Sequence, residues 1–431
     1  GLFYSGHEGV FTDIDSNLNF ADIAWMITAT IFVLMMTPGL SFFYGGMVRS
    51  KNVISTMLQS FIAMGVISVI WVVVGFSLAF GEDVGHFIGN PGTFFMFVNV
   101  GGATDKLLAP TIPLALYALF QMKFAIITPS LITGSFAERV RFSGYLVFMI
   151  LFCIFVYCPL AHWTWHPDGF LRQMGVLDFA GGIVVHASSG VAALAGAIFL
   201  GRRKESGQPA NIPFVLLGAA MLWLGWFGFN AGSSLAANSI AVKAFLNTNT
   251  ASATAMMTWV VFDCLRGRKP SAMGAAIGAV VGLVAITPSA GYVTVGESIF
   301  IALVVTVICN MAVSWKNKKN SFDDALDVFP THGVGGIVGT IMTGIFVYNA
   351  TENITYWQNL LNHIIAVVIV CGYTFIVTYA LYWITDKMIP MRVSEKSEKI
   401  GLDMSQHDER YGIETNRELA EYFDHGVDTK S

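Results

Sequence analysis

Charge is what this chain has least of. Asp, Glu, Lys and Arg make up 12% of its 431 residues, about half the share of an ordinary soluble domain. Also missing are a nucleophile paired with a general base, a His/Cys/Asp/Glu run at metal-ligand spacing and a glycine-rich nucleotide loop. An enzyme is therefore not expected, nor a metal or cofactor site. The five cysteines, Cys153, Cys158, Cys264, Cys309 and Cys371, fall in or at the ends of apolar stretches. An odd number in such surroundings argues against a disulfide framework, and they read as small core hydrophobes. The net charge of −4 singles out no partner, and no nucleic acid is expected. The chain opens on Gly1 rather than Met, the expected trace of a removed signal peptide or tag.

Apolar residues fill the gap. They make up 55% of the chain, with 34 Phe, and the mean hydropathy is +0.63. A bilayer crossing needs about 20 mostly apolar residues. Eleven stretches qualify, roughly 22–48, 53–80, 110–136, 143–165, 180–200, 212–232, 245–265, 271–286, 298–315, 331–348 and 357–386. Alternate loops carry Arg49 and Lys51; Arg139 and Arg141; Arg202, Arg203 and Lys204; Arg266, Arg268 and Lys269; and Lys316, Lys318 and Lys319. The loops between them hold only Lys106, Arg172 and Lys243. Cytoplasmic loops collect Lys and Arg, so the N-terminus is expected outside, the C-terminus in the cytoplasm and the number of crossings odd. The fold class expected is an all-α membrane protein: an outer segment 1–21, a membrane domain 22–388 and a cytoplasmic tail 389–431.

Two histidines stand inside these apolar stretches. His186 follows Asp178 by eight residues, and His332 follows Asp324 by eight. Crossings one to five and six to ten (about 22–200 and 212–350) are equal in number, so the second five run inverted, and 357–388 is a long last helix. At about 1.5 Å rise per residue, each ring lies roughly 12 Å from its own membrane surface. In a core about 30 Å thick the two rings then approach one depth. A small residue, Gly190 or Gly336, follows each His by four, which permits close helix approach. A polar ring inside a membrane helix marks a functional site by default, and a matched pair at a repeat junction suggests one shared site. The plainer alternative is that each His only bonds a neighbouring helix.

No ring of carboxylates or lysines suits a file of ions, and a bare ion in a dry apolar medium is very unfavourable. Phe side chains around two neutral imidazoles suit a small neutral hydrogen-bonding solute such as ammonia, water or a small amide. The imidazoles also offer a proton relay. Chemistry alone leaves these solutes undivided.

Local motifs divide them. The segment Phe120-Gln121-Met122-Lys123-Phe124-Ala125 with Ala137-Glu138-Arg139, and Asp178-Phe179-Ala180-Gly181-Gly182 with His186, resemble the Amt/Mep/Rh ammonium transporter family. So do Gly225-Trp226-Phe227-Gly228-Phe229-Asn230-Ala231-Gly232-Ser233, His332-Gly333-Val334-Gly335-Gly336-Ile337-Val338-Gly339, and Gly401-Leu402-Asp403 with His407 in the tail. The resemblance covers about 21–412. It implies eleven membrane helices as an inverted 5+5 repeat plus a last long helix, a homotrimer with one pore per subunit, and ammonium or ammonia as substrate. Carried over by position, Trp165, Ser233 and Phe124 form an outer ammonium site. Phe120, Phe124 and Phe229 form a gate, and His186 and His332 line the pore. Asp178 and Asp324 hold donors in place, and Gly401, Leu402, Asp403 and His407 form a regulatory tail. A Trp face attracts cations and a Ser hydroxyl accepts from N–H. The plainer readings are a belt anchor for Trp165, packing for the phenylalanines and helix capping for the aspartates. The resemblance places the protein in the inner (plasma) membrane, and its partners include the bilayer and a PII-type regulatory protein.

Lys123 departs from the family pattern, which has a small or uncharged residue there. It fits an outer boundary or a subunit contact, or else a gate altered toward binding without conduction. The polar residues after Tyr411, including Arg417-Glu418-Leu419-Ala420-Glu421-Tyr422-Phe423, suit a helix leading to a C-terminal signalling domain. An ammonium-sensing receptor therefore stands beside the transporter as the second reading. A Rh-like gas channel is a third, disfavoured by the aromatic outer site and the Gly401-Leu402-Asp403 tail.

Overall fold

Helices here begin where a short polar residue precedes an apolar run. Asn19, Asn211, Asn238, Ser271, Thr294 and Thr355 each accept a backbone N–H of the first turn, the usual way of satisfying the orphan donors of a helix start. The computed structural model describes residues 15–348 and 354–412. Within them α1 spans Phe20–Met47, α2 Ser50–Phe80, α3 Leu114–Ile132, α4 142–165 and α5 Gly182–Leu200. Next come α6 at Ile212–Ala231, α7 at Ser239–Leu265, α8 at Ala272–Ile286, α9 at Val295–Lys319, α10 at 329–346 and α11 at Tyr356–Met388. Two short helices close the described chain, α12 Glu395–Ile400 and α13 Leu402–His407. A small antiparallel hairpin, β1 Asp83–Val84 and β2 Ile88–Gly89, sits in the loop after α2.

The chain is an all-helical membrane protein. Eight of its described helices are long and apolar enough to cross a bilayer: α1 to α6, α9 and α11. The other three expected ranges are helical but fall short of that standard. In α7 a polar run replaces apolar residues, and its donors are taken up inside the protein: Asn247 Nδ2 donates to the Ala290 and Val293 carbonyls, and Ser252 Oγ to Ala279. α8 has only 15 residues, and α10 opens on a π-helical turn. Exposed Ile27, Ile31, Leu216, Leu224, Val368 and Ile376 give α1, α6 and α11 apolar outer faces.

α1 and α6 lie back to back. Gly218 lacks the Cβ that would overlap the Phe43 backbone. Two helices are interrupted by π-helical turns, at Trp71–Gly75 and Cys153–Tyr157, and two begin on one, at Gly182–Ala187 and Phe329–Gly333. Such turns recur at functional sites, and the last two carry His186 and His332. One cysteine departs from expectation. Cys264 is exposed, because it falls in the last turn of α7. The helix expected around Arg417–Phe423 and the start of the outer segment, 1–14, lie outside the described residues.

Candidate functional site

Two capped helix starts frame the site. Asp178 accepts from the backbone N–H groups of Gly181, Gly182, Ile183 and Val184, at 2.5–3.2 Å. A carboxylate is favoured there by both the orphan donors and the helix dipole. Gly181 reaches this geometry with φ of 112°, which an L side chain resists. Asp324 does the same for α10 through Val328 (3.0 Å) and Phe329 (2.7 Å). The main-chain carbonyls of the two aspartates are held as well. Trp165 Nε1 donates to Asp178 O at 2.9 Å and Lys316 Nζ to Asp324 O at 2.7 Å. Burial raises both carboxyls above the usual range, Asp324 to about 6, against the pull of these N–H groups and, at Asp324, of Lys316.

Eight residues on, the imidazoles meet. His186 Nδ1 lies 3.1 Å from His332 Nδ1, with ring centroids 5.3 Å apart and planes 21° from parallel. Both rings are buried. The glycines four residues on make this possible. A Cβ at Gly190 would overlap the Gly333 backbone, and one at Gly336 would stand 2.6 Å from Ala187 N and 3.0 Å from His186 Cβ. An Nδ1–Nδ1 hydrogen bond needs one ring protonated at Nδ1 and the other bare there. In the neutral pair the second ring then carries its proton on Nε2. The two tautomeric arrangements interconvert by proton transfer, so the pair can take up a proton at one end and release one at the other.

A row of aromatic rings leads to the pair. Trp165 meets Phe124 edge to face at 5.8 Å. Phe124 stacks on Phe229 at 4.1 Å and 20°, and Phe229 lies 6.0 Å from His186. Phe120 touches Phe124 edge to face at 5.0 Å, and all three phenylalanines are buried. Ser233, one turn beyond Phe229, donates its hydroxyl to Phe229 O at 2.8 Å. Its oxygen lone pairs are left to accept. On the far side, Phe43, Tyr44, Thr331 and His332 line a recess.

The structure thus brings Trp165, Phe120, Phe124, Phe229, Ser233, His186 and His332 into one row with Asp178 and Asp324 behind its two helices. The tail residues lie apart. Leu402 N donates to Asn52 Oδ1, Asp403 accepts from Ile54 N and Ser55 N, and His407 Nε2 is 3.2 Å from Ser55 Oγ. Gly401, at φ 105°, packs against Lys51. Lys123 is half-buried on α3, with Leu119 exposed one turn before it, whereas Phe120 and Phe124 face inward. Two residues had no role assigned from sequence. Trp226 stacks on His186 at 5.1 Å and 14°, and its spacing of three from Phe229 was the available signal. Lys316 looked like one more inner-loop charge, and only the fold turns it toward Asp324.

The model of the Ammonium Transporter Family matches residues 24–411. A putative ammonium transporter of Methanothermobacter thermautotrophicus is 45% identical over 402 residues, covering 91% of this chain and 98% of that protein. The crystal structure of Candida albicans Mep2 superposes with a TM-score of 0.84 at 33% identity, over 97% of this chain and 94% of that one. A solved protein described as a sensor Amt protein superposes with a TM-score of 0.83 at 30% identity, over 90% of this chain and 98% of that one.

Proposed function

The chain belongs to the ammonium transporter family, and from that premise we propose that it recruits ammonium outside and passes ammonia through the row of rings. Members of such a family move a solute rather than transform it, so the protein is a transporter and not an enzyme. Ammonium is attracted to the Trp165 face, a contact worth about 0.5–2 kcal/mol. Phe124 and the free lone pairs of Ser233 complete the site. The cation sheds its proton before the phenylalanines, because a desolvated charge is far less favourable there than neutral ammonia. Ammonia then slips past Phe124 and Phe229, which must swing aside. It exchanges hydrogen bonds with His186 and His332 and leaves by the recess beside Tyr44. The proton either stays outside or crosses through the imidazoles.

The observation that carries this reading is the 3.1 Å His186–His332 contact behind a stacked phenylalanine pair. The finer architecture belongs to the same proposal: eleven crossings in an inverted 5+5 repeat plus α11, three subunits each with its own pore, the N-terminus outside and the C-terminus in the cytoplasm of an inner (plasma) membrane. The reciprocal fit of Gly190 on Gly333 and of Gly336 on Ala187 supports the repeat. A PII-type regulator acting on the cytoplasmic side through the Gly401–His407 segment, which packs on the start of α2, belongs to the same proposal. The second reading, an ammonium sensor that binds and conducts little, draws on the likeness in fold to the sensor Amt protein.

Proteoliposomes holding the purified protein test both. An ammonium pulse is expected to give uptake of labelled methylammonium or a current, and His186→Ala to abolish it or alter its selectivity. Well-folded wild-type protein that binds ammonium but passes nothing would reverse the ranking in favour of the sensor.

A further inference from the structure

Behind the outer site the last helix reaches over to the loop that carries Asp178. His363, buried in α11, has both ring nitrogens engaged. Nδ1 lies 2.8 Å from the Asn359 carbonyl, and Nε2 accepts from Leu177 N at 3.0 Å. A carbonyl only accepts, so Nδ1 carries the proton, and Nε2 is left bare for Leu177. Asn359 Nδ2 in turn donates to Gly344 O at 2.8 Å, which ties the same turn to the end of α10. Asn362 Nδ2 donates to Met174 O at 2.7 Å. The absence of a side chain at Gly344 brings α11 in, since a Cβ there would stand 2.9 Å from His363 Cβ. Leu177 immediately precedes Asp178, whose carbonyl holds Trp165 and whose carboxylate holds the start of α5. One imidazole therefore anchors the backbone from which both the recruiting indole and the pore helix hang.

We propose that His363, in its Nδ1-protonated neutral form, is a positioning residue for the outer ammonium site, acting through Leu177 N on Asp178 and Trp165. It touches neither substrate nor pore. Loosening it displaces the Trp165 face from the Ser233 hydroxyl, while the Asp178 carboxylate keeps its four N–H bonds to the start of α5 and so holds the His186–His332 pair. The signature is a loss of apparent affinity without loss of maximal flux. Removal of this hydrogen bond should raise the half-saturating concentration roughly three- to tenfold, about 0.7–1.4 kcal/mol. Glutamine is long enough to keep a carbonyl acceptor on Leu177 N, and leucine fills the volume without one.

The inference rests on the transport reading, and the experiment separates the two. Uptake of labelled methylammonium into proteoliposomes is measured for wild type, His363→Leu and His363→Gln over a concentration series. Absence of uptake by the wild type would sink the transport reading itself. With the wild type active, the expected result is a three- to tenfold higher half-saturation for His363→Leu, maximal uptake within about twofold, and His363→Gln close to wild type. Unchanged half-saturation in His363→Leu, or an equal defect in His363→Gln, overturns the proposal. Should His363→Leu fail to fold, the wild-type protein decides. Histidine-labelled ¹⁵N spectra are expected to place the His363 proton on Nδ1, and a proton on Nε2 overturns the proposal.

Discussion

Trp165 and Ser233 make contrasting demands on a cation. The indole offers a diffuse attraction that survives small displacements, whereas the hydroxyl offers one directed acceptor. Ser233 already donates to Phe229 O, which fixes the direction of its lone pairs. Trp165→Ala removes a cation–π contact of about 0.5–2 kcal/mol, an expected loss of about two- to thirtyfold in apparent affinity for ammonium. Ser233→Ala removes one hydrogen bond to a charged donor, about 1.5–3 kcal/mol, an expected loss of about tenfold or more. Neither touches the His186–His332 contact, so maximal flux is expected to hold. Concentration series for methylammonium uptake measure both. Unchanged half-saturation in the two variants would place the recruiting site elsewhere. Lys123 is the residue whose charge bears on the choice between transporter and sensor, and it is half-buried one turn after the exposed Leu119, while Phe120 and Phe124 are buried. Lys123→Met is accordingly expected to leave wild-type flux in place, and a large gain in flux would show that the lysine restrains the gate after all.

The helices α5 and α10 cross where neither can carry a side chain, at Gly190 and Gly333. On propensity alone, Gly190→Ala should stabilise a helix by about 0.5–1 kcal/mol. The new Cβ would instead overlap the Gly333 backbone, and backbone cannot turn aside as a side chain does. Overpacking of this kind typically destabilises by about 1–3 kcal/mol, so the clash wins. Gly372→Ala on α11 is the matched control, since a Cβ there meets nothing within 4 Å. Thermal unfolding in detergent is expected to show a lower midpoint for Gly190→Ala and an unchanged or higher one for Gly372→Ala. Equal midpoints would remove the case for a close crossing at the histidines. These elements also show where sequence reading succeeds and stops. The Asp178–His186 and Asp324–His332 spacings were legible because a cap and a polar ring in an apolar run stand out against their surroundings. The π-helical turns were not, since an extra residue per turn is imposed by packing and leaves no periodic trace. α7 was readable as a helix, but its inward Asn247 and Ser252 lower its apolarity below that of a lipid-facing crossing. Trp226 was invisible as a site residue, because aromatics in such helices mostly pack.

Across the whole molecule, one ionic cluster joins loops that are far apart in sequence. Glu138, held at φ 72°, accepts from Arg49 N and Nε, from Asn52 Nδ2 and from Arg203. Arg203 binds both oxygens of Asp323, at 2.9 Å each, and Arg139 donates to the Asp323 and Gly201 carbonyls. The same face receives the tail, with Asp403 capping the start of α2 and Arg392 paired with Glu398. Contacts spanning some 350 positions, such as Leu402 to Asn52, leave no signal in a single sequence beyond the polarity of the residues. Burial alone would raise Asp323. The Arg203 hydrogen bonds, with the charges of Arg139 and Arg203, overcome it and hold the carboxyl down at about 2, against an ordinary 3.8. A carboxyl lowered on folding contributes stability that is complete above its unfolded value and is lost as pH falls toward the folded one. Asp323→Asn is therefore expected to unfold at a lower temperature than wild type near neutral pH. The gap between the two should close as pH drops from about 4 toward about 2. Paired melting curves across that range measure it. A gap that stays constant with pH would mean that the Arg203–Asp323 contact holds the inner loops through shape and neutral hydrogen bonds, with its charge contributing nothing.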